Sequence, residues 1–283
     1  MRTGTNTGAT RGSTGELRRR VYRRRRLIAG SVLVLAVAAI TVLAVVLTRP
    51  AENPPAPTVT LPAPAAVPWR DIGVSSEGRA VKVAVFGEGP QALLVIGGIH
   101  GDEYGGVVAR AFAKALADDE FRVPSGWAVH VIGSLNPDGE HLGTRANARG
   151  VDVNRNLPTD NWSAVLDPED RSAQEGLTPG SGPASEPEAR ALVDYLARGF
   201  DAVVALHSAG GIIDYDGDVS LETAQAMAEL SGFPVEHLSY QGSITGSLGQ
   251  YVSEKYGVPM ITVELEGPEL TSEIAAGLLA ACR

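Results

Sequence analysis

Cysteine is almost absent from the chain. Cys282 is the only one in 283 residues, so no disulfide can close within one chain and no thiolate zinc cluster can form. Any metal must be held by His, Asp or Glu. Basic charge is scarce as well, except at the amino terminus. Residues 1–49 carry ten arginines against the single Glu16, a balance of +9, which leaves 14 basic and 32 acidic side chains, or −18, in the remainder of a chain of net charge −9. So acidic a body is repelled by phosphate backbones, because nucleic-acid binding needs a basic footprint, and no nucleic-acid partner is expected. No internal repeat is visible. With 44% apolar and 20% charged residues, the composition excludes collagen, a disulfide-stapled mini-protein and a fully disordered chain, and the length suffices for one sizeable core or two small ones.

Charge of either sign is missing from residues 27–48. At about 1.5 Å of helical rise per residue this run spans roughly the 30 Å of a bilayer's hydrocarbon, which predicts a transmembrane helix. Arg18, Arg19, Arg20 and Arg23 to Arg26 mark its cytoplasmic side, since positive flanks stay inside. A cleaved signal peptide is the competing reading. Its apolar region is normally shorter, and Pro50, Pro54 and Pro55 follow where a small-residue cleavage site belongs, which favours an uncleaved anchor. A buried core helix fits badly, because the run has no polar face. Prolines at 50, 54, 55, 57, 62, 64 and 68 then make a spacer that could hold the next domain up to about 60 Å from the membrane. The expected organisation is a basic cytoplasmic tail (1–26), a single membrane-spanning helix (27–48), a Pro-rich linker (49–68) and an extracytoplasmic domain (69–283) at the cell membrane.

Within 69–283, apolar runs of strand length at 81–86, 92–96, 128–132, 202–206 and 260–265 alternate with helical patterns at 105–116, 186–197, 221–230, 248–256 and 272–281. That alternation predicts an α/β sandwich around a mostly parallel sheet. Ser185 followed by Glu188 reads as a capping box, with Pro187 in the first turn. The stretch 136–183, dense in Gly, Pro, Asn and Asp, is longer than an ordinary connection, and such stretches are usually functional.

The strand at 92–96 runs into Gly97-Gly98-Ile99-His100-Gly101-Asp102-Glu103, which places an imidazole and a carboxylate just past a strand's carboxyl end. Ligands bind at that edge in open α/β sheets. An H-x-x-E pair alone is weak, but the glycines on both sides let the backbone turn both side chains toward one point. His207 follows the strand at 202–206 in the same manner. Two imidazoles and one carboxylate are the three-ligand set of catalytic zinc, with a fourth position left for water. Asp102 is the near rival to Glu103, its bland reading being a turn residue. No role falls to His130, His141 or His237. A water on such a metal needs a proton acceptor, and Glu264 stands near the end of the strand at 260–265. Glu266 has the same parity, and the residues alone do not choose between them. Arg145, Arg149, Asn154, Arg155 and Asn156 crowd one loop of an otherwise acidic domain, a pattern suited to gripping a carboxylate.

Taken together, Gly98-Ile99-His100-Gly101-Asp102-Glu103, Asn136-Pro137-Asp138-Gly139, Gly143-Thr144-Arg145, Gly150-Val151-Asp152-Val153-Asn154-Arg155-Asn156, Leu206-His207-Ser208 and Thr262-Val263-Glu264-Leu265 resemble the zinc metallocarboxypeptidases. Within them, the order and approximate spacing are similar to the bacterial murein-peptide amidase branch. The resemblance implies a three-layer α/β/α sandwich with a mixed, mostly parallel sheet and one zinc per chain held by His100, Glu103 and His207. It implies Glu264, in preference to Glu266, as general base and Arg145 as the group that polarises the scissile carbonyl. Asn154 and Arg155 would clamp a free carboxylate on the leaving residue. The implied substrate is a cell-wall stem peptide cut between γ-D-glutamate and meso-diaminopimelate. A mobile tyrosine of the best-known carboxypeptidases has two candidates here, Tyr240 and Tyr251, and neither is assigned. The anchor and spacer depart from the soluble members of the branch and point to an outward-facing enzyme. Two other readings remain: a zinc deacylase of N-acyl amino acids, and a non-catalytic envelope protein that binds stem peptides.

Overall fold

Strict alternation of buried side chains fixes the architecture. In β3 (Gln91–Ile96), Leu93 and Val95 belong to one apolar cluster and Leu94 and Ile96 to the other, and all four are fully buried. A strand covered on both faces must lie in the middle of a sandwich. The computed structural model describes residues 66–283 except 209 and 239–242. The expected tail and transmembrane helix, and most of the expected linker, lie outside the described residues. No helix among the described residues is long and apolar enough to cross a membrane.

Seven strands form one sheet in the order β1-β2-β4-β3-β5-β7-β6, with β1 at Arg70–Val74, β2 at Ala80–Phe86, β4 at Trp127–Ile132, β5 at Ala202–Ser208, β6 at Ile212–Asp216 and β7 at Met260–Leu265. The helices are α1 (Gly105–Ala117), α2 (Pro137–Leu142), α3 (Arg171–Gln174), α4 (Pro187–Leu196), α5 (Leu221–Ser231), α6 (Leu248–Tyr256) and α7 (Ser272–Leu279). On one face Phe112 of α1, Met227 of α5 and Leu278 of α7 join Leu93, Val95, Val131 and Val204; on the other, Leu192 of α4 and Val252 of α6 join Leu94, Ile96, Val203 and Ala205. The described residues form a three-layer α/β/α sandwich.

The sheet is less parallel than the sequence predicts. Only the central run β4-β3-β5-β7 is parallel; β1 with β2, β2 with β4 and β6 with β7 are antiparallel. β1 and β6 carry no signal that sequence periodicity could detect. The first is mostly exposed, and the second, Ile-Ile-Asp-Tyr-Asp, places two carboxylates in a strand, where Asp is depleted. The expected capping box is also absent. Glu186 is the N-cap of α4 and makes no side-chain cap bond. Glu188, fully buried, instead accepts hydrogen bonds from Ser76 N–H at 2.8 Å and Asn147 Nδ2 at 3.2 Å, so a tertiary need has taken the carboxylate from the helix end.

Close backbone approach brings the segment after β3 into the centre of the molecule. A Cβ on Gly101 would lie 1.9 Å from the carbonyl carbon of Gly139, and one on Gly105 would lie 2.0 Å from the carbonyl oxygen of Leu206. His100 and Glu103 therefore sit on a strip wedged between α2 and β5. Gly105→Ala should push α1 away from β5 and lower the unfolding free energy by about 1–3 kcal/mol, the usual cost of overpacking, in denaturant titrations. An unchanged midpoint and slope would show that the wedge is looser than described.

Candidate metal centre and its cavity

The parallel pairing of β3 with β5, and of β5 with β7, aligns the carboxyl ends of three strands. His207 is directly opposite Glu264 in the β5–β7 register, so the two side chains emerge on the same face. His100 and Glu103 arrive from the turn after β3, where Gly98 adopts φ +62. One donor atom each of His100, Glu103 and His207 lies within 4.8 Å of the others. Glu103 Oε1 is 2.8 Å from His100 Nδ1, its Oε2 is 2.9 Å from His207 Nδ1, and the two Nδ1 atoms are 3.1 Å apart.

The chemistry of this donor set fits a metal ion. His100 Nε2 faces Asp152 Oδ1 at 3.2 Å, and Asp152 is fully buried. Burial opposes ionisation of Asp152, but His100 and then the Arg145 and Arg155 guanidiniums outweigh it and hold the carboxyl well below the usual range. An ionised Asp152 makes Nε2 the donor, which leaves Nδ1 of His100 as a lone pair aimed at a carboxylate and at a second imidazole. A metal ion between them would satisfy His100 Nδ1, His207 Nδ1 and the Glu103 carboxylate together. Their separations of 2.8–3.1 Å are close to the edge of roughly 3.3 Å that ligands about 2.0–2.1 Å from tetrahedral zinc would show. Burial opposes ionisation of Glu103, but the two histidines beside it outweigh that and hold its carboxyl below the usual range.

Asp152, to which sequence reasoning gives no role, is the hub of the surroundings. It accepts from Arg145 Nε at 3.1 Å, from Ser172 Oγ at 2.5 Å and from Asn154 N–H at 2.7 Å. Its only sequence signal is its place inside the Arg- and Asn-rich motif. Arg145 also donates from Nη1 to Glu103 Oε1 at 3.1 Å, which places its guanidinium against the donor cluster. Arg155 is not a free clamp. Its guanidinium meets both carboxylate oxygens of Asp170, at 2.6 and 3.2 Å, and donates to Asn154 O at 2.8 Å. Asn154 Oδ1 accepts from the Leu248 N–H at the start of α6 at 2.8 Å.

His100, Glu103, Arg145, Asn154, Arg155, Asp170 and His207 line a cavity of about 530 Å³ that also takes in Arg171, Asp214, Asp216, Glu236, Leu238, Thr262 and Glu264. Burial, helped by the charge of Glu103, raises the Glu264 carboxyl above the ordinary glutamate value, against the pull of His207 and His100. Glu266 is outside the lining and packs over Gly211. The two carboxylates of β6 make a buried acidic end. Asp214 accepts from Leu238 N–H at 3.0 Å, while no hydrogen bond or ion pair among the described residues reaches the Asp216 carboxylate, which rests where a Cβ of Gly249 would be. Burial and the neighbouring Asp214 push Asp216 up to about 6. Asp102 is exposed and stands apart from the donor cluster. His130 pairs with Tyr195 OH at 2.7 Å, His141 is exposed, and His237 lies 3.4 Å from Asp214 on the surface. Tyr251 is buried in the core, and Tyr240 is outside the described residues.

Comparison with known proteins agrees with this geometry. The family profile described as zinc carboxypeptidase matches residues 59–231, which include His100, Glu103 and His207. Murein peptide amidase A of Escherichia coli K12 is 39% identical over 110 residues, covering 37% of this chain and 43% of the relative, so the aligned part spans less than half of that protein. Murein peptide amidase A of Vibrio campbellii is 31% identical over 189 residues, covering 64% of this chain and 71% of the relative. The crystal structure of the murein-tripeptide amidase from Escherichia coli O157 superposes with a TM-score of 0.54 at 27% identity, over 80% of this chain and 92% of the other.

Asp152 is placed to orient the His100 imidazole through its far nitrogen, and partners of that kind behind a metal ligand typically account for 10–100-fold in metal affinity. Asp152→Asn should therefore weaken zinc binding by about that factor in a chelator competition titration. Affinity equal to that of the unmodified protein would remove Asp152 from the metal's support.

Proposed function

The chain belongs to the zinc carboxypeptidase family, and from that premise we propose that it hydrolyses cell-wall stem peptides at the bond between γ-D-glutamate and meso-diaminopimelate. The observation that carries this reading is the convergence of His100, Glu103 and His207 with Glu264 and Arg145 in one cavity that has cationic and acidic walls. Zinc held by those three side chains would supply Lewis acidity and bring the pKa of a water near 7.

Glu264 accepts the proton of the attacking water and passes it to the amide nitrogen as the C–N bond breaks and the new C–O bond forms. Its raised pKa suits a group that must first take and then return a proton. Arg145 donates to the carbonyl oxygen as negative charge builds there, where a positioned cation is worth most. Asn154 and Arg155 hold the carboxylate of the leaving residue, with Asp170 fixing the plane of the Arg155 guanidinium. Beyond the cut bond, the unpaired Asp216 beside Asp214 suits the ammonium on the side chain of diaminopimelate.

The same reading places the protein in the cell membrane with this domain outside, supported by the charge-free stretch 27–48 behind its arginines. External protease should digest the domain in cells whose outer envelope has been opened; protection would contradict this topology.

Mass spectrometry of products from a peptide panel tests the activity. The purified zinc-loaded protein should release diaminopimelate from γ-D-Glu-diaminopimelate and cleave the γ-D-Glu-norleucine analogue, which lacks the side-chain amine, far more slowly. A preference for N-acyl amino acids, or binding without turnover, would contradict the proposal. Glu264→Gln should keep zinc and lose about 10²–10⁴ in kcat. In the unmodified enzyme Glu264 can accept a proton only when ionised, so kcat should fall as pH drops through a pKa above 4.5. Asp216 loses its charge near pH 6 and should act through KM, which makes kcat the readout for Glu264.

A further inference from the structure

One cation at the cavity's rim is left without a task. Asp170 and Ser172 are 1% and 0% exposed, and both are bonded into the site: Asp170 to Arg155 at 2.6 and 3.2 Å, Ser172 to Asp152 at 2.5 Å. Asp170 also caps α3 by accepting from Ser172 N–H at 2.8 Å. The residue between these two anchors is Arg171. Its side chain is 59% exposed and lines the cavity. Its Nε donates to Glu175 at 2.7 Å, and no bond from its terminal nitrogens to a protein group is found among the described residues. Asp102 and the metal-binding Glu103 are close enough for their charges to act on it. A backbone pinned on both sides, with a guanidinium fork turned outward beside the donor cluster, is suited to a planar anion.

The chemistry of the proposed substrate supplies one. A glutamate linked through its γ-carboxyl keeps its α-carboxylate free, three carbon–carbon bonds along from the acyl carbon under attack to the carbon that bears it. An ordinary α-linked residue carries an acid at that reach only when it is itself a glutamate. On the leaving side, the carboxylate goes to Asn154 and Arg155, and the ammonium to the buried acidic end at Asp214 and Asp216. The rest of the substrate must exit through the exposed rim, where Arg171 stands. We propose that Arg171 is a specificity-determining residue that binds the free α-carboxylate of the γ-linked glutamate on the acyl side of the cut bond. The inference rests on the function proposed above and adds to it the group that recognises the free carboxylate of that glutamate.

The test compares two substrates on the full-length, zinc-loaded protein: L-Ala-γ-D-Glu-diaminopimelate and the same peptide with the glutamate α-carboxylate converted to an amide. The unmodified enzyme should favour the free acid by about fivefold to tenfold in kcat/KM, mainly through KM, as expected for a partly exposed charge-assisted contact. Arg171→Met should bring that ratio close to one, and Arg171→Lys should restore part of it, because the charge is kept and the fork is lost. The ratio does not depend on how much active enzyme survives, since general damage lowers both rates together. Equal turnover of the two peptides by the unmodified enzyme would overturn the role of Arg171 and leave the functional reading standing. So would a ratio unchanged in Arg171→Met, which would also exclude a role in binding this carboxylate if Arg171 served the distal carboxylate of diaminopimelate instead. Turnover of neither peptide would overturn both.

Discussion

Two imidazole nitrogens and a carboxylate meet at separations of 2.8–3.1 Å, an arrangement that a cation between them would satisfy, and the rest of the site is built around it. Asp152 supports it: paired with Nε2 of His100, it turns Nδ1 toward Glu103 and His207. Arg145 then bridges Glu103 and Asp152, so the second carboxylate that orients the histidine is balanced by a cation. Glu264 lies across the register from His207, and burial raises its carboxyl above the ordinary glutamate value.

The backbone provides this convergence by two means. Parallel pairing carries three strand ends to a common edge, and the glycines at 101 and 105 let the connecting strip lie against Gly139 and Leu206 with no side chain between. β6 supplies Asp214 and Asp216, and the long connection from β4 to α4 supplies Arg145, Asn154, Arg155, Asp170 and Arg171. Its few helical turns matter because their caps are shared with the site: Asp152 caps the turn that carries Asn154 and Arg155, and Asp170 caps the one that carries Arg171.

What could be read from the sequence divides along the same physical line. β3, β5 and β7 are buried on both faces, so their apolar runs mark them, and His100, His207 and Glu264 stand out as polar residues at the ends of those runs. β6 escaped because Asp214 and Asp216 disguise it, and with it went the acidic end of the cavity. Glu188 has the spacing of a capping residue but is bonded to Ser76 and Asn147, far away in sequence. Arg155 reads as an open clamp, whereas its pairing with Asp170 depends on a loop whose course no local pattern encodes. Local chemistry was legible; bonds made across dozens of residues were not.

X-ray absorption at the zinc edge of the purified protein tests the central claim most directly. The account predicts one zinc per chain, bound by two imidazole nitrogens at about 2.0–2.1 Å and by carboxylate and water oxygens at about 2.0–2.2 Å. A spectrum that shows a single imidazole or none, or zinc in much less than one equivalent after loading, would contradict it.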